Sequence, residues 1–600
     1  MFLRERLLSH DSGSDGESVE TRSRRGSTQF AAAAADPPWA WEGKQASGSF
    51  GTSSSRTLGT FNGVFIPCMN SIFGVVLFLR WGWAVGQIGV SGALSVLLLG
   101  TIISFITAAH VSALATNGQV ETGGAYYLLS RALGPEFGGA VGFLFYIAQA
   151  FGVGLYTLGF TEALLPLLEE SPVFSRILPC TYMDCTGEER FFYPNEELIS
   201  SATLLLLLGL NLLGAHWFAR VSSIIAGVVV TGVICGAGSI VAYSLSYDAA
   251  EDLLPPKNLT GFVGISWERL RINWGAELLC EQDDCRDSLD VFYVVGVILP
   301  AVTGLLNDAS MSGDLKDPGR AIPIGTLWAV VTMVLVYSAL IVLQGAAFER
   351  SALRSNYSIF QQITFFPWIV LTSTIFATLS PAFTTMAGMS RILEAQAQDG
   401  LYGRWLSPKL AKGYGSRGDP RLCFLLSWFL AQVVCLFGEV NLAATFVTIF
   451  FFTTYAALNI ACAVLILSGA PNFRPEFKFY NLWISLIGAL LCLSVAFFVS
   501  ITIAFASLVL AFVAFGVLSI TSLSGGGGGT DGKRFADVSQ ALVYQFSHRY
   551  LLTLDLRKAH AKFWRPQVLV LIDGAEAGGA DLNSSAAGAG GAGLAGAIFD

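Results

Sequence analysis

Pro67-Cys-Met-Asn-Ser-Ile-Phe-Gly-Val-Val76 and Pro300-Ala-Val-Thr-Gly-Leu-Leu306 decide how this chain reads. Each lies inside a long apolar run, about 62–89 for the first and 290–312 for the second. A membrane-spanning helix must satisfy its backbone internally, so a Pro/Gly break at mid-membrane is tolerated only where it is buried in protein or lines a cavity. Gly and Pro are common in membrane helices, so one such break carries little weight. A pair at matching positions, opening two five-helix halves, points instead to an inverted-repeat transporter with its site at the repeat interface. Free carbonyls ending one half-helix suit a cation, and free N–H groups starting the next suit an anion. Neither quoted break contains a charged side chain. Salt transport fits that better than amino-acid transport.

The rest of the chain supports a membrane setting. Of 600 residues, 53% are hydrophobic and only 13% charged, against roughly 25% charged in an ordinary soluble protein. The mean hydropathy is +0.59. The net charge of −8 gives no basic face for nucleic acid, and the five histidines are too scattered in sequence for a metal cluster. Residues 1–59 are polar and Ser/Arg-rich, which predicts a disordered cytosolic tail rather than a signal peptide. Further apolar segments follow at about 91–116, 137–168, 198–214, 220–246, 324–346, 367–392, 422–437, 442–467 and 479–522. The last is too long for one span at ~1.5 Å per residue and a ~30 Å core. Divided near Ser500, it brings the expected total to twelve spans, within a transporter domain at 60–523.

Charge sets the orientation. The loop at 393–421 carries Arg404, Lys409, Lys412, Arg417 and Arg421 against Asp399 and Asp419, so it is expected in the cytosol. Threading from it puts both termini in the cytosol and the loops at about 169–197, 247–289 and 347–366 outside. The first two are acidic, with seven and nine Asp/Glu against two and four Lys/Arg. Cys180 and Cys185 fall in the first, and Cys280 and Cys285 in the second, on the oxidising side. Two local disulfides or a cross-pairing both fit the spacing. The sequons at Asn258 and Asn356 also fall outside, where glycosylation is possible. Residues 524–600 begin with the Gly525–Gly529 linker and continue with an amphipathic helix, Phe535 to Leu556, and a strand, Gln567 to Ile572. They read as the start of an incomplete α/β cytosolic domain ending in Gly/Ala low complexity.

Several longer runs now carry a resemblance. They are Ile72-Phe-Gly-Val-Val-Leu-Phe-Leu-Arg80, Gly123-Gly-Ala-Tyr-Tyr-Leu-Leu-Ser-Arg131, Leu133-Gly-Pro-Glu-Phe-Gly-Gly139, and Ser312-Gly-Asp-Leu-Lys-Asp-Pro318 with Ile322-Pro-Ile-Gly-Thr326. Across about 58–573 the chain resembles the cation–chloride cotransporters, solute carrier family 12. Ala470-Pro-Asn-Phe-Arg-Pro475 and Tyr550 through Gln567 resemble its member 9 branch, also called cation–chloride cotransporter-interacting protein. The resemblance implies an all-α polytopic membrane protein with a 5+5 inverted repeat and broken helices 1 and 6, the amino acid–polyamine–organocation (LeuT-like) fold. It also implies a homodimer in the lipid bilayer, in the plasma membrane or an endomembrane such as the lysosomal or vacuolar one.

By motif, the resemblance implies a K⁺ or NH4⁺ site at Ser71, Ile72, Tyr156, Pro300 and Thr303. One chloride would rest on Gly74, Val75 and Val76, and another on Gly304, Leu305 and Leu306 with Tyr455. Ser71 stands where the family usually has Asn, a change that spares a backbone carbonyl. The sodium site of the sodium-coupled members looks degenerate. Ala377 and Ser380 are kept, but Pro381 replaces the second serine. Asp308, where small residues are usual, is a candidate coupling residue, since an ionisable group at membrane depth is functional by default. It serves equally well as a structural charge at the positive end of a half-helix. No cofactor beyond the transported ions and no enzymatic chemistry are expected. Two alternatives stay open: a non-transporting regulatory partner of other cation–chloride cotransporters, and an amino-acid or polyamine transporter on the same fold.

Overall fold

The computed structural model describes residues 59–116, 124–169, 194–213, 216–247, 261–277, 291–304, 315–413, 420–436, 438–468, 473, 475, 477–524, 543 and 547. Among them the protein is helical, with one isolated antiparallel bridge between Phe262 and Phe348. A π-turn at Phe61–Phe65 leads into α1 (Ile66–Ile72), followed by α2 (Val75–Leu79), α3 (Trp81–Ala115), α4 (Gly124–Leu133) and α5 (Pro135–Glu169). Next come α6 (Pro194–Leu212), α7 (His216–Tyr247), α8 (Trp267–Ile272), and α9 (Val291–Ile298), which tightens into a 3₁₀ turn at Leu299–Val302. The chain continues with α10 (Pro318–Ala347), α11 (Arg350–Ser355), α12 (Ile359–Gln362), α13 (Pro367–Gln398), α14 (Gly403–Leu410), α15 (Arg421–Cys435), α16 (Val440–Ser468), α17 (Leu482–Val499) and α18 (Ile501–Ser524).

Nine helices among the described residues are long and apolar enough to cross a membrane. The other predicted spans coincide with α6, whose first turn carries Glu196 and Glu197, and with two shorter apolar helices, Val291–Val302 and Arg421–Cys435. Ser500 is extended backbone between α17 and α18, so the long apolar segment divides where its length required. The predicted outer loop 347–366 contains α11 and α12. The C-terminal strand, Asn258 and the tail 1–58 lie outside the described residues. So do all four cysteines of the expected disulfides, Cys180, Cys185, Cys280 and Cys285, and no disulfide joins any of the described residues. Asn356 is described, and its amide donates to Gln362 Oε1 at 2.7 Å. The six described cysteines are free thiols, five of them buried, as expected of small hydrophobes.

The broken span is central. In the Phe61–Leu79 segment 83% of the apolar window is buried, against 17% in α18. α1 contacts α7, α10 and α13, while α5 lies along α13 and α16. A buried polar chain ties α3 to α16 and α17: His110 Nδ1 meets Asn459 Oδ1 at 2.6 Å and its Nε2 meets Ser485 Oγ at 2.9 Å. Each ring nitrogen thus has a partner, as burial demands.

The first two predicted spans meet at Gly89 (φ 72°, ψ 171°), which interrupts α3. Helix geometry restarts at Val90, leaving N–H groups without intrahelical partners. The segment after α8 supplies them: Val90 N–H donates to Asn273 O at 2.9 Å and Ser91 N–H to Trp274 O at 3.0 Å. Glu277, on the same segment, pairs with Arg350 and Arg354 of α11. The Arg350 hydrogen bond and charge, then Arg354, hold its carboxyl below the ordinary carboxylate value. A Cβ at Gly89 would stand 2.3 Å from Gly275 O, in a backbone region that L side chains rarely adopt. Gly89→Ala is therefore expected to cost about 1–3 kcal/mol. A thermal melt of the detergent-solubilised protein checks this: the variant should melt about 1–3 °C lower, and an unchanged Tm would contradict the packing described.

Candidate functional site

The site starts from a backbone ledger. A helix broken inside the bilayer exposes carbonyls that no water can reach, each costing several kcal/mol if unmet. The first break is an inverse γ-turn at Phe73 (φ −78°, ψ 54°), with Gly74 N–H donating to Ile72 O at 2.8 Å. Side-chain hydroxyls from neighbouring helices meet the carbonyls of both breaks. Tyr156 of α5 donates to Ser71 O at 3.3 Å, and Tyr337 of α10 donates to Ile72 O at 2.6 Å. At the second break Thr448 of α16 donates to Gly296 O at 2.6 Å and Ser104 of α3 to Val302 O at 3.1 Å. Thr303 turns its own hydroxyl onto Pro300 O at 2.9 Å, and Tyr455 of α16 donates to Thr303 O.

The two breaks touch. A Cβ on Gly304 would lie 2.9 Å from Ser71 Cβ and 3.3 Å from Ile72 N. At Gly74 it would lie 2.9 Å from Tyr156 Cε1. Glycine at both positions lets backbone approach backbone and ring. Ser71, Ile72, Gly74, Tyr156, Thr303, Gly304 and Tyr455 are thereby connected through direct contacts, with Pro300 one hydrogen bond away. Val75 and Val76 open α2 and are buried. The N–H of Gly74 is engaged by Ile72 O, so the anion reading at this break rests on Val75 and Val76. Leu305, Leu306 and Asp308 lie outside the described residues.

Ala377 and Ser380 sit buried on α13, which packs against α1. Pro381 continues the helix without an N–H to donate, which releases the carbonyl of Ala377 from its helical bond. The Ser380 hydroxyl is buried without a hydrogen-bond partner. One turn of α13 thus holds a released carbonyl and an unpaired hydroxyl beside Pro381.

Two features of the site have little signature in the sequence. Tyr337 looks like an ordinary aromatic in an apolar helix until the fold aims it at Ile72. The other is an ion pair at the α2 end of the broken span. Arg80, directly after α2, grips Glu162 of α5 bidentately, at 2.9 and 2.7 Å. Its Nε donates to Asn441 Oδ1 at 2.8 Å, and its guanidinium lies 4.1 Å from the Tyr357 ring centroid. The planar fork suits both partners. Asn70 anchors the other half of the span, donating to Ser222 O and Oγ of α7 at 3.1 and 3.0 Å. An arginine at an apolar boundary was the available signal, but its partner is 82 residues away.

Apolar spanning helices around two touching, hydroxyl-capped helix breaks define a membrane transporter of the permease class. A family model described as "Amino acid permease" matches residues 63–570. The chain is 37% identical over 538 residues to "Solute carrier family 12 member 9" of Mus musculus, covering 88% of this chain and 56% of that protein. The Xenopus laevis protein of that name is 34% identical over 526 residues, covering 86% and 56%. "Solute carrier family 12 member 2" of Homo sapiens is 30% identical over 550 residues, covering 86% and 42%. The chain belongs to the cation–chloride cotransporter family, solute carrier family 12, within the amino acid permeases. It spans about half the length of these curated relatives.

Removing one partner of a buried ion pair strands the other charge, at a cost of ~3–5 kcal/mol. Glu162 is 28% exposed and Arg80 only 4%, so solvent screening reduces this for Glu162→Gln to about 2 kcal/mol. The expected result is a Tm about 2–4 °C below the parent in detergent. Equal Tm values would show that Arg80 does not depend on the pair.

Proposed function

We propose that the protein is a symporter coupling K⁺ or NH4⁺ to Cl⁻ by alternating access, independently of sodium. The observation that carries this is the junction of the two breaks, where carbonyls from both meet hydroxyls that can trade places with a partly dehydrated monovalent cation. Ser71, Ile72, Pro300 and Thr303 supply carbonyl or hydroxyl oxygen and Tyr156 its phenol. Val75 and Val76 at one break, and Gly304, Leu305 and Leu306 with Tyr455 at the other, supply N–H or O–H groups for chloride, with Gly74 allowing the close approach. The absence of charged side chains from both quoted breaks supports a salt over a zwitterionic substrate. The Arg80–Glu162 pair lies on the outer side of the first break and would have to part for an ion to enter from outside. Asp308 would tune coupling from just beyond the second break.

The architecture proposed with this function has twelve spans in a 5+5 inverted repeat, with α6, α9 and α15 completing the nine. Both termini are cytosolic, a cytosolic domain starts at about 524, and two copies form a homodimer. The outer loops carry glycans at Asn258 and Asn356 and disulfides among Cys180, Cys185, Cys280 and Cys285. Sodium independence rests on Pro381. Ala377 O and the Ser380 hydroxyl are too few oxygens for a small ion that holds its water tightly. Burying an under-coordinated ion costs several kcal/mol, well above the ~1.4 kcal/mol that equals tenfold in affinity.

Chloride uptake into cells expressing the protein tests both parts. Replacing external sodium with N-methylglucamine at fixed potassium or ammonium should leave uptake intact. Tyr156→Phe, which removes one ligand and little volume, should lower cation-dependent uptake several-fold at unchanged surface expression. Loss of uptake without sodium, weakened further by Ser380→Ala, would overturn sodium independence. Uptake that amino acids or polyamines abolish by competition would assign the site to that substrate class instead.

A further inference from the structure

Ile72 and Ser71 present adjacent carbonyls at the first break, but the structure treats them differently. Ile72 O accepts from Gly74 N–H at 2.8 Å and from the Tyr337 hydroxyl at 2.6 Å. A carbonyl oxygen has two lone pairs, and both are engaged. Ser71 O accepts from Tyr156 at 3.3 Å, near the outer limit of a hydrogen bond. The two phenols differ as well. Tyr156 is 8% exposed and lies against Gly74, whereas Tyr337 is fully buried, its ring 5.2 Å from that of Trp81 and 5.8 Å from that of Phe73. Tyr156 holds its carbonyl by the longer bond. Tyr337 is packed in place.

We propose that Tyr337 is a positioning residue that sets how many carbonyl oxygens the first break offers to the cation. While its hydroxyl clamps Ile72 O, that oxygen is turned to the protein. Ligation there requires the short bond to break. The clamp therefore weakens cation binding and speeds release, keeping a monovalent cation from being trapped by a fully open ring of carbonyls. This rests on reading the two breaks as a cation site and adds the residue that tunes it. The clamp also predicts opposite signs for the two tyrosines: loss of the Tyr156 hydroxyl weakens binding, and loss of the Tyr337 hydroxyl strengthens it.

Tyr337→Phe keeps the ring and its packing, and Ile72 O still accepts from Gly74 N–H. Purified parent, Tyr337→Phe and Tyr156→Phe are compared in proteoliposomes by rubidium-dependent uptake of labelled chloride. The KM for rubidium should fall about three- to tenfold in Tyr337→Phe, the range expected for one hydrogen bond no longer opposing ligation. Its maximal rate should fall too, and Tyr156→Phe should raise KM. An unchanged or raised KM in folded Tyr337→Phe overturns the proposal. If that variant does not fold, a ring-fluorinated tyrosine at 337, a stronger donor of nearly equal size, should raise KM, and an unchanged KM overturns the proposal equally. The rubidium concentration that half-maximally raises Tm gives the same comparison without turnover. A parent with binding but no uptake sinks the transport reading and leaves this inference to that titration. A parent with neither uptake nor a rubidium-dependent Tm overturns both.

Discussion

A broken helix inside a bilayer leaves backbone carbonyls that must find donors, and that requirement organises this protein. Each unmet carbonyl would cost several kcal/mol in a medium without water, while a formed hydrogen bond returns only ~1 kcal/mol net. The asymmetry explains why the donors are placed so consistently. Tyr156, Tyr337, Ser104, Thr448 and Tyr455 come from α5, α10, α3 and α16, and all of them point at carbonyls of the two breaks. The helices that supply them pack against one another and against the broken segments. Buried position, hydroxyl chemistry and helix packing follow from one constraint.

The same arrangement gives the proposed chemistry its character. A hydroxyl oxygen that caps a carbonyl can rotate its proton away and become a ligand beside it, so satisfying the backbone and building a cation site use the same atoms. In the proposed site the short Tyr337 bond and the long Tyr156 bond then have different roles, Tyr337 restraining a carbonyl and Tyr156 serving as a ligand. Just past α2, Arg80 and Glu162 join the broken span to α5, the helix that also provides Tyr156. Any motion separating the broken span from α5 must disturb both contacts together. Ser380 and Ala377 leave an oxygen pair on α13 outside this network.

Much of the fold was legible because its signals are local. Apolar runs of sufficient length marked the spans, Ser500 divided the last one, and two Pro and Gly pairs, Pro67 with Gly74 and Pro300 with Gly304, located both interruptions. The junction at Gly89 was visible as the gap between two runs, although its positive φ and its dependence on Asn273 and Trp274 were not. Most of the candidate site residues came from motif resemblance, and contacts in the fold connect Ser71, Ile72, Gly74, Tyr156, Thr303, Gly304 and Tyr455. What sequence could not disclose was pairing over distance. Tyr337 and Ile72 are 265 residues apart, and Arg80 and Asn441 are 361 apart. Nor could sequence show that Gly74 N–H turns back onto Ile72 O, because an inverse γ-turn leaves no signature beyond a glycine.

The central proposition is that the two touching breaks bind a cation and chloride as one coupled unit. Simultaneous uptake of labelled rubidium and labelled chloride by the purified protein in proteoliposomes tests it most directly. Each flux is expected to require the other ion, and both should fall together in Gly304→Ala, whose added methyl would meet Ser71 at 2.9 Å. Rubidium flux that persists without chloride, chloride flux that persists without the cation, or no flux of either ion through folded protein would contradict it.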